Sequence, residues 1–290
     1  YMPNKTFSTF GSTPDELNLI LNMDYPIRSG WVSDAYQDLK TNKVMSTFSD
    51  QNYSVIETNS AMRWKDFSDV NAHLCYNTNF INSEFLDQVL RKSIIKYFME
   101  QHQTDTRRDI VRCTFNELNE IALQSNGPTY VFAHLYVPHP PFIFGPNGEN
   151  VTPDHSEISG LQSWENPQGY LNQLIYATNE ISMVITNIVE NDPGAIIILQ
   201  GDTGTLTGLD PNCCTINDVS DLYQTHSILY AVRMPTVNNF EDAIPANTYR
   251  IIFNNHFDMN YEYLEHRIYA ADEDNVLKDI TKTLHEYRFD

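Results

Sequence analysis

The chain has 290 residues, with 18 Lys and Arg against 38 Asp and Glu, for a formal charge of −20. That charge argues against a nucleic-acid backbone or an anionic membrane surface as the main partner; an anionic substrate would need a metal, a helix N-terminus or a few placed cations. With 41% hydrophobic and 12% aromatic residues the composition is that of a globular protein with a sizeable core, and its apolar runs of about five residues fall far short of the ~20 that cross a bilayer.

Gly11-Ser12-Thr13-Pro14-Asp15-Glu16 predicts a helix start, with Thr13 as N-cap, Pro14 at the first helical position and Glu16 closing a capping box. The helix runs to about Leu21. Tyr53–Thr58 reads as a short strand. Ser83 to Glu100 reads as an amphipathic helix burying Phe85, Leu86, Val89, Leu90, Ile94 and Tyr97, and a second helix covers Asp109 to Gln124. Thr129–Leu135 is the next strand, followed by Pro138-His139-Pro140-Pro141-Phe142 and a long loop from Glu149 to Pro167. Tyr170 to Glu190 is the clearest helix, stopping before Asp192-Pro193-Gly194.

Ala195-Ile196-Ile197-Ile198-Leu199-Gln200 then forms a wholly apolar strand ending in Gly201-Asp202-Thr203-Gly204. Ser227–Val232 is a strand, Asn247–Phe257 a helix, and Asp274–Tyr287 a terminal helix. Strands alternating with helices predict an α/β sheet covered on both faces. No repeat or linker splits the chain, so one domain over residues 1–290 is expected. Tyr1 is not a natural start, and the chain reads as a piece of a longer protein.

Several residues carry a functional reading beside a plainer one. Asp202 sits at the C-terminal end of an apolar strand, where α/β folds place ligands; it either caps the following turn or holds a cation. The Thr13 hydroxyl lies at a helix N-terminus that favours an anion, or it is a simple cap. His134 and His139 flank the end of a strand and a proline-fixed loop, as metal ligands, donors to an anionic oxygen, or hydrogen-bonded strand-end residues. His226 opens a strand and either points at the sheet edge or is a satisfied histidine. Thr203, Thr205 and Thr207 can bond backbone turns, and a threonine hydroxyl is a poor metal ligand beside carboxylate or imidazole. Cys75, Cys113, Cys213 and Cys214 lack zinc or redox spacing and read as buried thiols or one disulfide.

Taken together, four blocks in order resemble the sulfatase-like branch of the alkaline phosphatase superfamily, which includes lipoteichoic acid synthases and phosphoethanolamine transferases. They are Thr13 through Leu21-Asn22-Met23-Asp24-Tyr25; Ala133 through Pro138-His139-Pro140-Pro141-Phe142; Tyr170 through Gly201-Asp202; and Pro245–Arg250 with Phe253 and Arg267-Ile268-Tyr269. The resemblance spans nearly the whole chain. It implies an alkaline-phosphatase-like three-layer sandwich, with a mostly parallel central sheet and helices on both faces.

The resemblance also implies metal-dependent transfer or hydrolysis of phosphate, phosphodiester or sulfate esters. Thr13 would be nucleophile and metal ligand, Asp202 a metal ligand and His139 a substrate-oxygen contact. His134, Thr203 and His226 would be possible supports. The cofactor would be one divalent ion, Mn, Mg, Ca or Zn. The substrate would be a phosphorylated or sulfated cell-surface glycan or lipid, met by an extracytoplasmic domain anchored through a segment outside this chain.

Two positions depart from the family pattern. Thr203 replaces the family's histidine ligand, so the ion would be weakly held or absent, and the first strand with its metal-binding aspartate would lie before Tyr1. A non-catalytic relative serving as a binding or assembly module is the competing expectation. A phosphoglycerate-mutase-like enzyme is a third, for which the two-metal ligand set is missing.

Overall fold

The computed structural model describes residues 1–28, 31–32, 39–58, 67–75, 96–124, 127–153, 161–207, 209, 218–241, 243–272 and 276–287. Helices in chain order are α1 (Thr13–Asn22), α2 (Lys43–Asp50), α3 (Lys96–Gln124), α4 (Pro167–Asn191), α5 (Val219–His226), α6 (Thr248–His256) and α7 (Thr281–Glu286). Strands are β1 (Ile27–Arg28), β2 (Trp31–Val32), β3 (Ser54–Thr58), β4 (Ala72–Leu74), β5 (Thr129–Ala133), β6 (Ile197–Gln200), β7 (Tyr230–Arg233), β8 (Tyr269–Ala271) and β9 (Leu277–Asp279). They make a mixed α/β protein that divides into two compact units. The first holds residues 1–52, 65–69 and 194–290, and the second residues 53–64 and 70–193.

In the first unit β6 and β7 pair antiparallel, Ile198 opposite Val232. The N-terminal segment lies along the other edge of β7. Tyr1 exchanges backbone bonds with Val232, Ile228 N–H donates to Thr6 O at 3.0 Å, and Ser8 N–H donates to His226 O at 2.8 Å. One apolar cluster joins Phe7 and Leu222 to Ile268, Ile280 and Leu284, and another joins Phe10, Leu19 and Ala246. Leu19, on the inner face of α1, is wholly buried. Phe48 of α2 packs edge-on against Phe253 of α6 at 5.2 Å.

The second unit holds a parallel three-stranded sheet in the order β4-β3-β5. Parallel strands need covered faces, and its core gathers Val111 and Phe115 of α3, Tyr176 and Val184 of α4, and Val137, Ile143 and Phe144 from the proline-rich loop. A disulfide ties Cys75, just past β4, to Cys113 on α3, the one-disulfide alternative for that pair; Cys213 and Cys214 lie outside the described residues. In the middle of the sheet the buried Glu57 carboxylate meets His73 Nδ1 of the neighbouring strand at 2.7 Å. That partner offsets the cost of burying a charged group.

Several expectations need correction. The helix expected from Asp109 begins at Lys96; the one expected from Ser83 falls mostly outside the described residues, and its last five belong to α3. Residues 219–226, assigned no element, form α5, and the strand expected from Ser227 begins at Tyr230. The terminal helix is only Thr281–Glu286, because Leu277–Asp279 pairs antiparallel with Tyr269–Ala271. Thr13 is the first helical residue and not the cap. Ser12 caps α1, and its hydroxyl bonds the Asp15 carboxylate and not a backbone N–H.

Candidate functional site

Within the first unit, α1 and the loop after β6 carry the two leading candidates. Thr13 opens α1, half-buried, with Pro14 behind it and Asp15 and Glu16 completing an acidic first turn. Glu16 does not reach back to close a capping box on Thr13. Its Oε2 accepts the Phe10 N–H at 2.9 Å, and Oε1 is buried with no hydrogen-bond partner among the described residues. At 0% exposure, burial pushes its carboxyl from 4.5 up to about 8. The Phe10 and Thr9 N–H groups oppose that rise, and the nearby charges of Asp202 and Asp15 add to it. Burial also raises Asp15, against the pull of Ser12. Asp202 therefore lies close enough to α1 for its charge to act on the first turn.

The loop carrying Asp202 is held from behind. Gly201 N–H donates to Leu229 O and Gly204 N–H to Thr225 O, each at 2.8 Å. A Cβ on Gly204 would stand 2.0 Å from Gln224 O, so only glycine allows that approach. Gln224 reaches across from α5, its Nε2 donating to Thr207 O at 2.9 Å and Thr205 O at 3.1 Å. Thr205 Oγ1 accepts the Thr207 N–H at 3.1 Å. These threonines bond turn backbone, while Thr203 is half-buried beside Asp202.

His226 is 3% exposed. Its Nδ1 faces Leu222 O at 3.0 Å and its Nε2 faces Tyr269 O at 3.3 Å. Burial lowers its pKa against the pull of those carbonyls. The ring packs beside Gly11, where an added Cβ would sit 3.6 Å from Cε1. The neutral ring donates to one of these two backbone carbonyls, Leu222 O of α5 or Tyr269 O of β8, and is enclosed between α5 and β8.

Among the described residues no group of three or more His, Cys, Asp or Glu side chains is arranged to hold a metal ion. Among the described residues the donors at the start of α1 and in the turn after β6 are oxygens, from the Thr13 hydroxyl and the Asp15, Glu16 and Asp202 carboxylates. That chemistry fits a hard cation that keeps most of its water, and not zinc, which takes nitrogen and sulfur in closed cages.

His134 and His139 belong to the second unit. His134 follows β5 and is half-buried. His139 is exposed on a fixed loop: its N–H donates to Tyr136 O, and its carbonyl accepts from the wholly buried Gln173 amide, both at 2.9 Å. His139 Nδ1 lies 2.6 Å from Pro140 O, which assigns the proton to Nδ1. Its ring sits between Tyr136 at 4.7 Å and Trp164 at 4.9 Å, and Arg107 lies over the Tyr136 ring.

Sequence reading missed Glu16 as a buried acid, having assigned it to a cap. It also missed the Arg107–Tyr136–Trp164 group. Adjacent arginines at 107 and 108, in so acidic a chain, were the available signal.

The fold is sulfatase-like. A crystallised protein from Bacteroides thetaiotaomicron VPI-5482, described as a "putative sulfatase", superposes with a TM-score of 0.55 over 99% of this chain and 79% of its own, at 8% identity. No family model and no curated protein matches the sequence.

Proposed function

We propose that the chain is an alkaline-phosphatase-type domain that hydrolyses or transfers phosphate, phosphodiester or sulfate esters, with Thr13 as nucleophile and Asp202 as a cation ligand. The observation that carries this reading is the sulfatase-like fold, with Thr13 at the first position of α1 and Asp202 in the turn after β6 of the same compact unit. A bound hard cation would supply charge that polarises the ester oxygens and favours the Thr13 alkoxide.

In the proposed reaction Thr13 Oγ loses its proton and bonds to phosphorus or sulfur as the opposite ester oxygen departs and takes up a proton. The positive end of the α1 dipole favours the anionic group in flight. Water or an acceptor alcohol then displaces the Thr13 ester and restores the hydroxyl.

The full fold in this reading is the three-layer sandwich. Alternation from the Gly201–Leu229 bond turns the ladder groups of Ile198 and Gln200 to the edge of β6 away from β7. Gln200 Nε2 is buried without a partner among the described residues. Both features favour a further strand on that edge. The Cys75–Cys113 disulfide favours an oxidising, extracytoplasmic setting. The substrate in this reading is a cell-surface glycan or lipid ester.

The test is turnover of aryl phosphate, phosphodiester and sulfate esters with and without added Mn2+ or Mg2+. Cation-dependent release that Thr13→Ala abolishes is expected. Absence of turnover in a protein that carries a further strand on the edge of β6 away from β7 refutes it.

Thr203 favours the second reading, a non-catalytic binding or assembly module, because a hydroxyl stands where the family places an imidazole. Thr203→His separates the two. If the site is one ligand short, manganese affinity measured by electron paramagnetic resonance rises; if side chains have filled the cleft, it does not change.

A further inference from the structure

Helix α6 and the segments before and after it enclose a cavity of about 340 Å³ in the first unit. Ile251 and Asn255, one turn apart on α6, form one wall. Val237 and Asn239 come from the turn after β7, and Tyr263 from the segment that follows the helix. The volume falls at the low end of the ~300–1,000 Å³ typical of small-molecule sites. In a chain of net charge −20, no charged side chain among the described residues lines this cavity. A sulfate or phosphate group would meet no cation there, and the chemistry suits a neutral ligand.

Two amides in the lining are fixed in opposite senses by bonds to backbone. Asn255 Nδ2 donates to Ile251 O at 2.8 Å, which presents Oδ1 as an acceptor. Asn239 Oδ1 accepts the Glu241 N–H at 2.9 Å, which presents Nδ2 as a donor. Those backbone partners decide which amide atom is which. Tyr263 is 42% exposed, and the chain is pinned on both sides of it by side chains of the helix region. Asn254 exchanges bonds with the Tyr261 backbone at 2.7 and 2.9 Å, and Asn247 with that of Leu264 at 2.8 and 2.9 Å. Donor, acceptor and ring are therefore in place before a ligand arrives.

One donor and one acceptor lining the same cavity match a secondary amide, whose carbonyl and N–H each take one bond. The buried Val237 and Ile251 suit a methyl group on that amide. An aromatic ring with an exposed face takes the C–H face of a sugar. A nucleobase would need flat apolar walls on both faces, and among the described residues Tyr263 is the one ring in the lining. We propose that this cavity binds an uncharged N-acetylated amino sugar, its acetamido group between Asn239 and Asn255 and its ring on Tyr263. The site goes beyond the reading above: it takes no ester and requires neither Thr13 nor a cation.

Calorimetry or saturation-transfer NMR on the whole chain, in chelator, tests it with N-acetylglucosamine, glucose and N-methylacetamide as probes. N-acetylglucosamine binds tighter than glucose, which lacks the amide, and than N-methylacetamide, which lacks the ring, by about five-fold or more in each case, the worth of one hydrogen bond or ring contact. Asn239→Asp keeps the acceptor for the Glu241 N–H and removes the donor, and it weakens N-acetylglucosamine by about five-fold or more. Tyr263→Ala does the same, whereas Tyr263→Phe, which retains the ring, binds as the parent does. Thr13→Ala leaves this binding unchanged, so failure of the site and failure of turnover are separate results.

N-acetylglucosamine binding no tighter than glucose or N-methylacetamide overturns the proposal. So does unaltered binding in Asn239→Asp or in Tyr263→Ala. Asn239 is exposed in a turn, where the substitution leaves the fold intact, so Asn239→Asp decides the matter even where circular dichroism shows Tyr263→Ala to be unfolded.

Discussion

The most exacting consequence of the α1 geometry concerns Glu16→Gln. In the unfolded chain the carboxyl ionises near 4.5, and in the fold near 8. Between those values the unfolded state binds fewer protons than the folded one, so this group's contribution to stability falls as pH rises. The contribution is whole below pH 4.5, is reduced by about 3 kcal/mol at pH 7, and is lost by about 5 kcal/mol above pH 8, at about 1.4 kcal/mol per pH unit. Glutamine never ionises, and its amide oxygen still accepts the Phe10 N–H. The variant and the parent should therefore be of similar stability near pH 4.5 and diverge as pH rises, with the variant the more stable. Hydrogen exchange of the α1 peptide, Thr13–Asn22, between pH 5 and 8 in chelator measures the local opening free energy. Parallel profiles for the two proteins refute the buried, proton-holding carboxyl.

Two further outcomes follow from packing. Gly204→Ala forces a Cβ against Gln224 O and strains the Gly204–Thr225 bond; about 2–4 kcal/mol of destabilisation is expected, read as a lowered Tm with loss of any Thr13-dependent turnover. Cys75→Ser opens a 38-residue loop closure, for which chain entropy gives about 4 kcal/mol. Urea unfolding without reductant should show that loss, and reductant should produce it in the parent and leave the variant unaffected.

The sequence disclosed elements whose signals are local. Helix α4 has a sustained apolar face and an Asn166 cap that accepts the Gly169 N–H at 2.8 Å. Strand β6 is a continuous apolar run bracketed by glycine. Helix α3 hid its extent because Thr104, Thr106, Arg108 and Thr114 lie on its buried side, and polar residues there blur a 3.6-residue period. The C-terminal segment has helical apolar spacing, yet Asp272 Oδ1 takes the Val276 N–H at 2.8 Å and turns the chain into the β8–β9 hairpin. The apolar spacing carries no sign of that local bond, so the hairpin reads as helix in the sequence. Four cysteines allow three pairings, and only the approach of β4 to α3 selects Cys75 with Cys113. For the candidate site, the sequence picked out Thr13 and Asp202 but gave Glu16 a cap's role, because a capping box and a buried acid share the same spacing.

The chemistry of the first unit turns on how its acids are balanced. Asp15, Glu16 and Asp202 sit about the positive end of α1, whose partial charge near the N-terminus stabilises a carboxylate by at most about 1–2 kcal/mol. That is less than the roughly 5 kcal/mol by which burial disfavours an ionised Glu16, so without a cation the cluster carries a proton. A divalent ion bound at Asp202 would act the other way, drawing Glu16 toward ionisation and releasing that proton on binding. A Thr203→His imidazole would add a donor without changing the number of acids. The two readings of the chain then differ in a quantity that needs no substrate: proton release on adding manganese, measured by calorimetry in buffers of different ionisation enthalpy, accompanies a cation-using site and is missing where the cleft serves only to hold the fold.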